Sequence, residues 1–256
     1  MSEASTTDYI LETRGLSKQF SGFAAVSNVD LRVRRGAIHA VIGPNGAGKT
    51  TMFNLLTKFL VPTSGTILFN GRDVTRTKSA ELARRGIVRS FQISAVFPRL
   101  TALENVRVAL QRKLGTTFSF WRSDNSLEVL DDEAMRLLES VDLAAFASTV
   151  TTDLPYGRKR ALEIATTLAM EPELMLLDEP TAGMGHEDID MVTSLIRKVS
   201  VNRTIVMVEH NLSVVSDLSN TITVMQRGSV LTEGPYEIVS KNPDVLEAYM
   251  GGSYED

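Results

Sequence analysis

The 256-residue chain contains no cysteine and a single tryptophan. Without cysteine it can form neither a disulfide nor a thiolate metal site, a composition compatible with a reducing cytosol. It also lacks a basic excess. Its 27 Lys and Arg are outnumbered by 31 Asp and Glu, for a formal net charge of −4. A nucleic-acid coat would need positive charge to neutralise phosphates, so no nucleic-acid partner is expected. No apolar run approaches the roughly 18 residues of a membrane span. The opening MSEASTTDYILETRG has no basic region followed by an apolar stretch, so no signal peptide is expected. A role at a membrane would therefore need another chain to cross the bilayer.

What is present is an ordinary globular composition, 43% hydrophobic and 23% charged, on a chain long enough for a large core. One domain with an appendage is expected. The N-terminal part reads as strands and turns: ILETRGLSKQF, VDLRVRRG, then AIHAVIG running into a glycine-rich loop. A helix follows from about Thr50, then the turn PTSG and the strand TILFN. From about Ile93 to Met170 the spacing becomes helical, with TALENVRVALQRK, SLEVLDDEAMRLLES and a helix beginning near Gly157. GTTFSFWRSDN between the first two reads as a loop. After Pro172 the order is strand, helix, strand (LMLLD, EDIDMVTSLIRKVS, TIVMVEH), then a small strand pair and a short helix around PDVLEAYM. Continuous apolar strands suit a parallel sheet covered on both faces. The expectation is an α/β sheet core interrupted by a mostly helical subdomain.

GPNGAGKTT, Gly43 to Thr51, matches the phosphate-loop pattern G-x-x-x-x-G-K-[ST], with a strand before it and a helix after it. Gly43, Gly46 and Gly48 would let the backbone curl, so that the loop through Pro44, Asn45, Ala47 and Thr51 surrounds a polyphosphate with its N–H groups, Pro44 alone offering none. Lys49 would reach the β- and γ-phosphates, and the Thr50 hydroxyl would ligate Mg²⁺. LMLLDEP supplies two adjacent carboxylates at the end of an apolar strand. Side chains alternate across a strand, so the two cannot share one role. Asp178 is assigned to the Mg²⁺ shell and Glu179 to polarising the attacking water. No Asn-Lys-x-Asp tetrapeptide for guanine occurs, while a small-molecule kinase remains open on these two motifs.

DLPYGRKRALEIA poses a separate problem. Arg158, Lys159 and Arg160 crowd the start of an expected helix, where the backbone dipole already disfavours cations. The arrangement suggests that an anion is received there.

With these motifs, Gln92 at the end of IVRSFQ and His210 at the end of TIVMVEH complete an order that resembles the ATP-binding subunit of an ABC transporter, from about Ile10 to Met250. The resemblance implies a P-loop NTPase core of RecA-like type (about 10–92 and 173–256), N-terminal antiparallel strands and an inserted helical subdomain (about 93–172) carrying the signature motif. It implies a dimer sandwiching two ATP molecules with Mg²⁺, in which N–H groups near Tyr156 and Gly157 meet the γ-phosphate of the partner's ATP. It places Phe20 on the adenine, with Phe23 or a buried core position for Phe20 as other readings. It gives Gln92 a contact to Mg²⁺ and a relay to the membrane subunit, and it puts His210 on the γ-phosphate beside Glu179. His39 and His186 receive only structural readings.

The partners implied are a second ATP-binding subunit, transmembrane permease subunits and, indirectly, a substrate-binding protein. The place implied is the cytoplasmic face of the membrane. The signature departs from Leu-Ser-Gly-Gly-Gln, reading Leu154, Pro155, Tyr156, Gly157, Arg158. Thr181 to Gly185 lacks the family's cross-dimer aspartate. These departures, AGM and the closing NPDVLEAYMG are similar to importers of branched-chain and related amino acids. Another cargo such as urea, an amide or a lipid, and a soluble ABC ATPase, are the alternatives. Apolar residues after Gln92 (ISAVFPRLTALENV) would receive a helix of the membrane subunit, while Phe118, Phe120 and Trp121 form either a second such patch or a cap on their own subdomain.

Overall fold

The computed structural model describes residues 8–90, 96–111 and 128–250. Gln92, Phe118, Phe120 and Trp121 lie outside the described residues.

The chain opens with an antiparallel hairpin, β1 (Tyr9–Phe20) and β2 (Phe23–Arg34). Ser21 and Gly22 turn it with φ of 43° and 90°, the positive pair that matches strand twist in a two-residue hairpin. β3 (Ile38–Ile42) leads through the glycine-rich loop into α1 (Lys49–Leu56). β4 (Ser64–Phe69) and β5 (Arg72–Asp73) complete a four-stranded antiparallel sheet in the order β2-β1-β4-β5. After α2 (Ser79–Arg84) and β6 (Ile87–Ser90) come three helices, α3 (Ala102–Leu110), α4 (Asp131–Ser140) and α5 (Tyr156–Leu168). The remainder alternates: β7 (Leu174–Asp178), α6 (His186–Val199), β8 (Thr204–Val208), α7 (Leu212–Leu218), β9 (Thr221–Gln226), β10 (Ser229–Gly234), α8 (Tyr236–Val239) and α9 (Pro243–Met250).

The second sheet has the order β10-β9-β3-β8-β7-β6. Its strands are parallel apart from β10, which pairs antiparallel with β9. β6 is the strand that pattern reading misses, because IVRS is too short to show a period. Its ladder to β7, from Ile87 opposite Leu174 to Ser90 opposite Leu177, fixes it.

The two-residue period of the strands divides the core. Ile38, Ala40, Met175, Leu177, Ile205 and Met207 face the cluster that includes α5, α6, α7 and the helical segment. Val41, Leu174, Leu176, Val206 and Val208 face α1 and the antiparallel sheet. Both faces of the parallel sheet are therefore covered, as its unbroken apolar strands require.

A polar chain is buried with the second face. His39, 1% exposed, bonds through Nε2 to Thr223 Oγ1 at 2.7 Å, and the Thr223 hydroxyl donates to Glu233 Oε2 at 2.6 Å. The only hydroxyl proton is committed to Glu233, so Thr223 accepts from a neutral Nε2–H imidazole. Burial pushes His39 down to about 4. Its contribution to stability is present above the ordinary value near 6.5 and is lost as pH falls from there towards 4, because the unfolded chain binds the proton first. Between pH 7 and 4.5 wild type should lose roughly 2–3 kcal/mol more than His39→Gln, read from urea unfolding. Equal losses in the two proteins would contradict this.

Candidate functional site

The parallel sheet brings the C-terminal ends of three adjacent strands to one edge. β3 feeds the glycine-rich loop, β8 ends before Glu209 and His210, and β7 ends at Asp178. Such an edge is where open α/β sheets bind ligands.

Within the loop, Gly43 has φ 148° and Gly48 has φ 97°. A Cβ on Gly43 would lie 2.2 Å from Met225 O, and one on Gly48 would lie 2.4 Å from Ala25 O. Both glycines are thus required by close backbone approach as well as by conformation. The loop is braced by Ala47 N–H donating to Pro44 O at 3.2 Å and Gly228 N–H donating to Ala47 O at 3.0 Å. Asn45, Gly46 and Thr50 are exposed, and the first N–H groups of α1 open towards them, a geometry that favours an anion. Lys49 Nζ donates to Gly43 O at 2.6 Å and Pro44 O at 3.0 Å, arching over the loop. Burial lowers its pKa, and the nearby Glu179 carboxylate partly opposes that shift.

At the end of β7, Asp178 is buried and its carboxylate is ion-paired with Arg89 of β6. Glu179 leaves the strand with φ 45°, a left-handed conformation uncommon for a non-glycine residue, and its N–H donates to Val208 O at 2.9 Å. That turn separates the two acids, in line with their distinct assignments. His210 is exposed beyond β8. It is positioned by Glu209, which has 0% exposure and which pattern reading overlooked. Glu209 Oε1 accepts from Thr181 N–H at 3.0 Å and the Thr181 hydroxyl at 2.5 Å. Its Oε2 accepts from His210 N–H at 2.9 Å and Asn211 N–H at 3.1 Å. One buried carboxylate therefore ties the turn after Pro180 to the turn carrying His210. The only sequence signal was an acid directly following an apolar strand.

The cations at the start of α5 have partners within the chain. Arg158 donates to Asp142 O at 2.8 Å and lies 5.2 Å from the Phe146 ring centroid, and Lys159 donates to Thr152 O at 2.9 Å. Arg160, 7% exposed, donates to Pro180 O at 3.2 Å, Asp178 O at 3.1 Å and Glu163 Oε2 at 2.5 Å. It props the end of β7 from behind. Gly157 is buried against α6, where a Cβ would meet Asp188 Oδ1 at 2.4 Å and Met191 Cε at 2.6 Å. Tyr156 is 56% exposed, and Pro155 occupies the N-cap without a side-chain bond. The buried-core reading of Phe20 is overturned: it is 43% exposed beside Phe23, 68% exposed, at the tip of the first hairpin. Of the other histidines, His39 belongs to the core, whereas His186 begins α6 at the surface.

The oxygen donors fit Mg²⁺. Thr50 presents a hydroxyl and Asp178 a carboxylate, and no group of three or more His, Cys, Asp or Glu able to hold a metal is gathered among the described residues. A hard cation bound by few side chains and completed by substrate phosphates and water is the Mg²⁺ pattern.

The sequence matches the ABC transporter family over residues 26–182. The chain belongs to that family. Residues 229–255 of this ABC ATPase also match the branched-chain amino acid ATP-binding cassette transporter family. It is 39% identical over 252 residues to the high-affinity branched-chain amino acid transport ATP-binding protein BraF of Pseudomonas aeruginosa, covering 94% of this chain and 98% of that protein. The ADP conformation of MJ1267, an ATP-binding cassette of an ABC transporter, superposes with a TM-score of 0.84 at 30% identity, covering 96% and 100% of the two chains. A dimeric post-hydrolysis cassette, MJ0796 bound to ADP and Pi, has a TM-score of 0.72 at 25% identity, covering 88% of this chain and 98% of that one. The α/β core with its N-terminal antiparallel sheet is thus the ABC ATPase fold, and the chain is a nucleotide-binding ATPase.

The Glu209 network generates a prediction for this ATPase. Glu209→Gln replaces an acceptor pair by one acceptor and one donor among four donors. It should cost roughly 2–4 kcal/mol in urea unfolding. Phosphate release should fall at least about tenfold, with nucleotide affinity kept within about threefold. Wild-type stability and turnover in the variant would contradict the assignment.

Proposed function

We propose that this ATPase powers a multi-subunit importer of branched-chain or related amino acids from the cytoplasmic face of the membrane. Permease subunits cross the bilayer and a substrate-binding protein delivers the cargo. The cargo reading is supported by the identity to BraF along nearly the whole chain and by the family match over residues 229–255. Among the described residues no helix is long and apolar enough to cross a membrane, so the passage itself belongs to partner chains.

In this reading ATP lies along the edge formed by β3, β8 and β7, with Phe20 against the adenine. The loop from Gly43 to Thr51 surrounds the phosphates, and Lys49 exchanges its bonds to Gly43 O and Pro44 O for phosphate oxygens. Thr50, Asp178 and Gln92 would hold Mg²⁺, which would neutralise charge building on the phosphates. Glu179 polarises the attacking water and His210 contacts the γ-phosphate. A second copy or a paralogue closes over the nucleotide with the N-terminal end of its α5, around Tyr156 and Gly157. The catalytic core comprises about 10–92 and 173–256, and the helical subdomain about 93–172.

The permease docks by a cytoplasmic helix in a cavity of about 520 Å³ lined by Phe59, Ala83, Ile87, Arg89, Ala109 and Met170. This groove joins the core to the helical segment beside the strand that leads to Gln92. Phe59, 54% exposed, supplies apolar surface to it.

The observation that carries the reading is the grouping of Lys49, Asp178, Glu179 and His210 on one sheet edge. Glu179→Gln should bind ATP with wild-type affinity, release phosphate at least about 100-fold more slowly and become a stable dimer with ATP. Sedimentation that found only monomer with ATP and this variant would overturn the sandwich.

A further inference from the structure

Among the roles above Arg89 figures only as a lining residue of the docking groove, yet it touches one of their central residues. It is the third residue of β6, in register with Leu176 of β7, two positions before Asp178. Its guanidinium reaches the strand end, pairs with Asp178 Oδ2 and donates from its other terminal nitrogen to Asn54 Oδ1 at 2.7 Å. Asn54 lies one helical turn beyond Thr50 on α1. The Arg89 and Asp178 side chains are 11% and 5% exposed, and the guanidinium is flanked by Phe53 and Phe59 at 6.0 and 5.7 Å from their centroids.

A guanidinium cannot be deprotonated in a protein, so this carboxylate is neutralised by a fixed charge. The planar fork explains why arginine suits the position. It bridges two oxygens on two elements, joining the phosphate-loop helix to the strand that carries the acids. A ligand of Mg²⁺ would ordinarily present its full negative charge to the ion.

We infer that Arg89 is the internal counter-ion of Asp178, a positioning residue that acts through this carboxylate and raises the Mg²⁺ concentration that the site requires. The inference rests on the proposed Mg²⁺–nucleotide site. Two cations sharing one shielded carboxylate repel each other through a medium of low effective dielectric, and the later arrival bears that repulsion. Removing the guanidinium leaves a buried, uncompensated carboxylate whose best remaining counter-charge is the metal. Arg89 also lines the 520 Å³ groove.

The test is equilibrium binding of a fluorescent ATP analogue at a series of free Mg²⁺ concentrations, using the full chain. Arg89→Met should reach half-saturation at about tenfold lower Mg²⁺ than wild type. Arg89→Lys, which retains the charge, should remain within about twofold. Should the methionine variant fail to fold, Arg89→Gln keeps an amide donor for Asp178 and carries the same expectation of a shift to lower Mg²⁺. A neutral variant requiring the same or more Mg²⁺ would overturn this inference alone, as would a tenfold shift in Arg89→Lys. Wild-type protein that bound no nucleotide at any Mg²⁺ concentration would overturn the functional reading, and this one with it.

Discussion

Two backbone carbonyls, Met225 O from β9 and Ala25 O from β2, occupy the space where Gly43 and Gly48 would carry side chains. The shape of the phosphate loop is therefore imposed from outside the loop. β9 lies beside β3 in the parallel sheet, while β2 belongs to the antiparallel sheet, so the loop is gripped where the two sheets meet. Gly228 completes the grip by donating to Ala47 O and accepting from Ser27 N–H. A loop held this way presents its N–H groups already aimed, which is the condition under which backbone dipoles bind a phosphate strongly.

The acidic side of the site is held by a second layer of the same kind. Glu209 fixes the turns at Thr181 and His210 with four hydrogen bonds, and Arg160 supports the carbonyls of Asp178 and Pro180 from behind. Glu179 takes a strained backbone conformation between these supports. The start of α5 and the end of β7 are thus mechanically one unit. Pro155 leaves the N-cap of α5 with no side-chain bond, so the partner contact proposed above falls to the backbone around Tyr156 and Gly157.

Much of this was legible beforehand. GPNGAGKTT and LMLLD carry their chemistry in residue type and spacing, and the strands and helices around them have clear periods. Strand order was not legible, because the ladder that sets β8 between β3 and β7 is made of contacts distant in sequence. β6 was too short to show a pattern. The partners of the three cations of DLPYGRKR were hidden for a related reason: a charge run shows its sign, whereas its partners here are mostly backbone carbonyls supplied by the fold. Gly157 has a second reason to be glycine that the sequence did not show. A glycine at a helix start suits an approaching phosphate, but this one is also demanded by the packing of α5 on α6. Glu209 and Arg89 escaped notice because burial, which gives each its role, is invisible in a single sequence.

The claim on which the rest stands is that nucleotide is held by the backbone of the loop gripped between β2 and β9. The most direct measurement is the affinity of Gly43→Ala for a fluorescent ATP analogue, with the fold verified by far-UV circular dichroism. Its new methyl would sit 2.2 Å from Met225 O, so the loop must shift, and affinity should drop at least about 100-fold. A folded Gly43→Ala protein that binds the analogue as tightly as wild type would contradict the account.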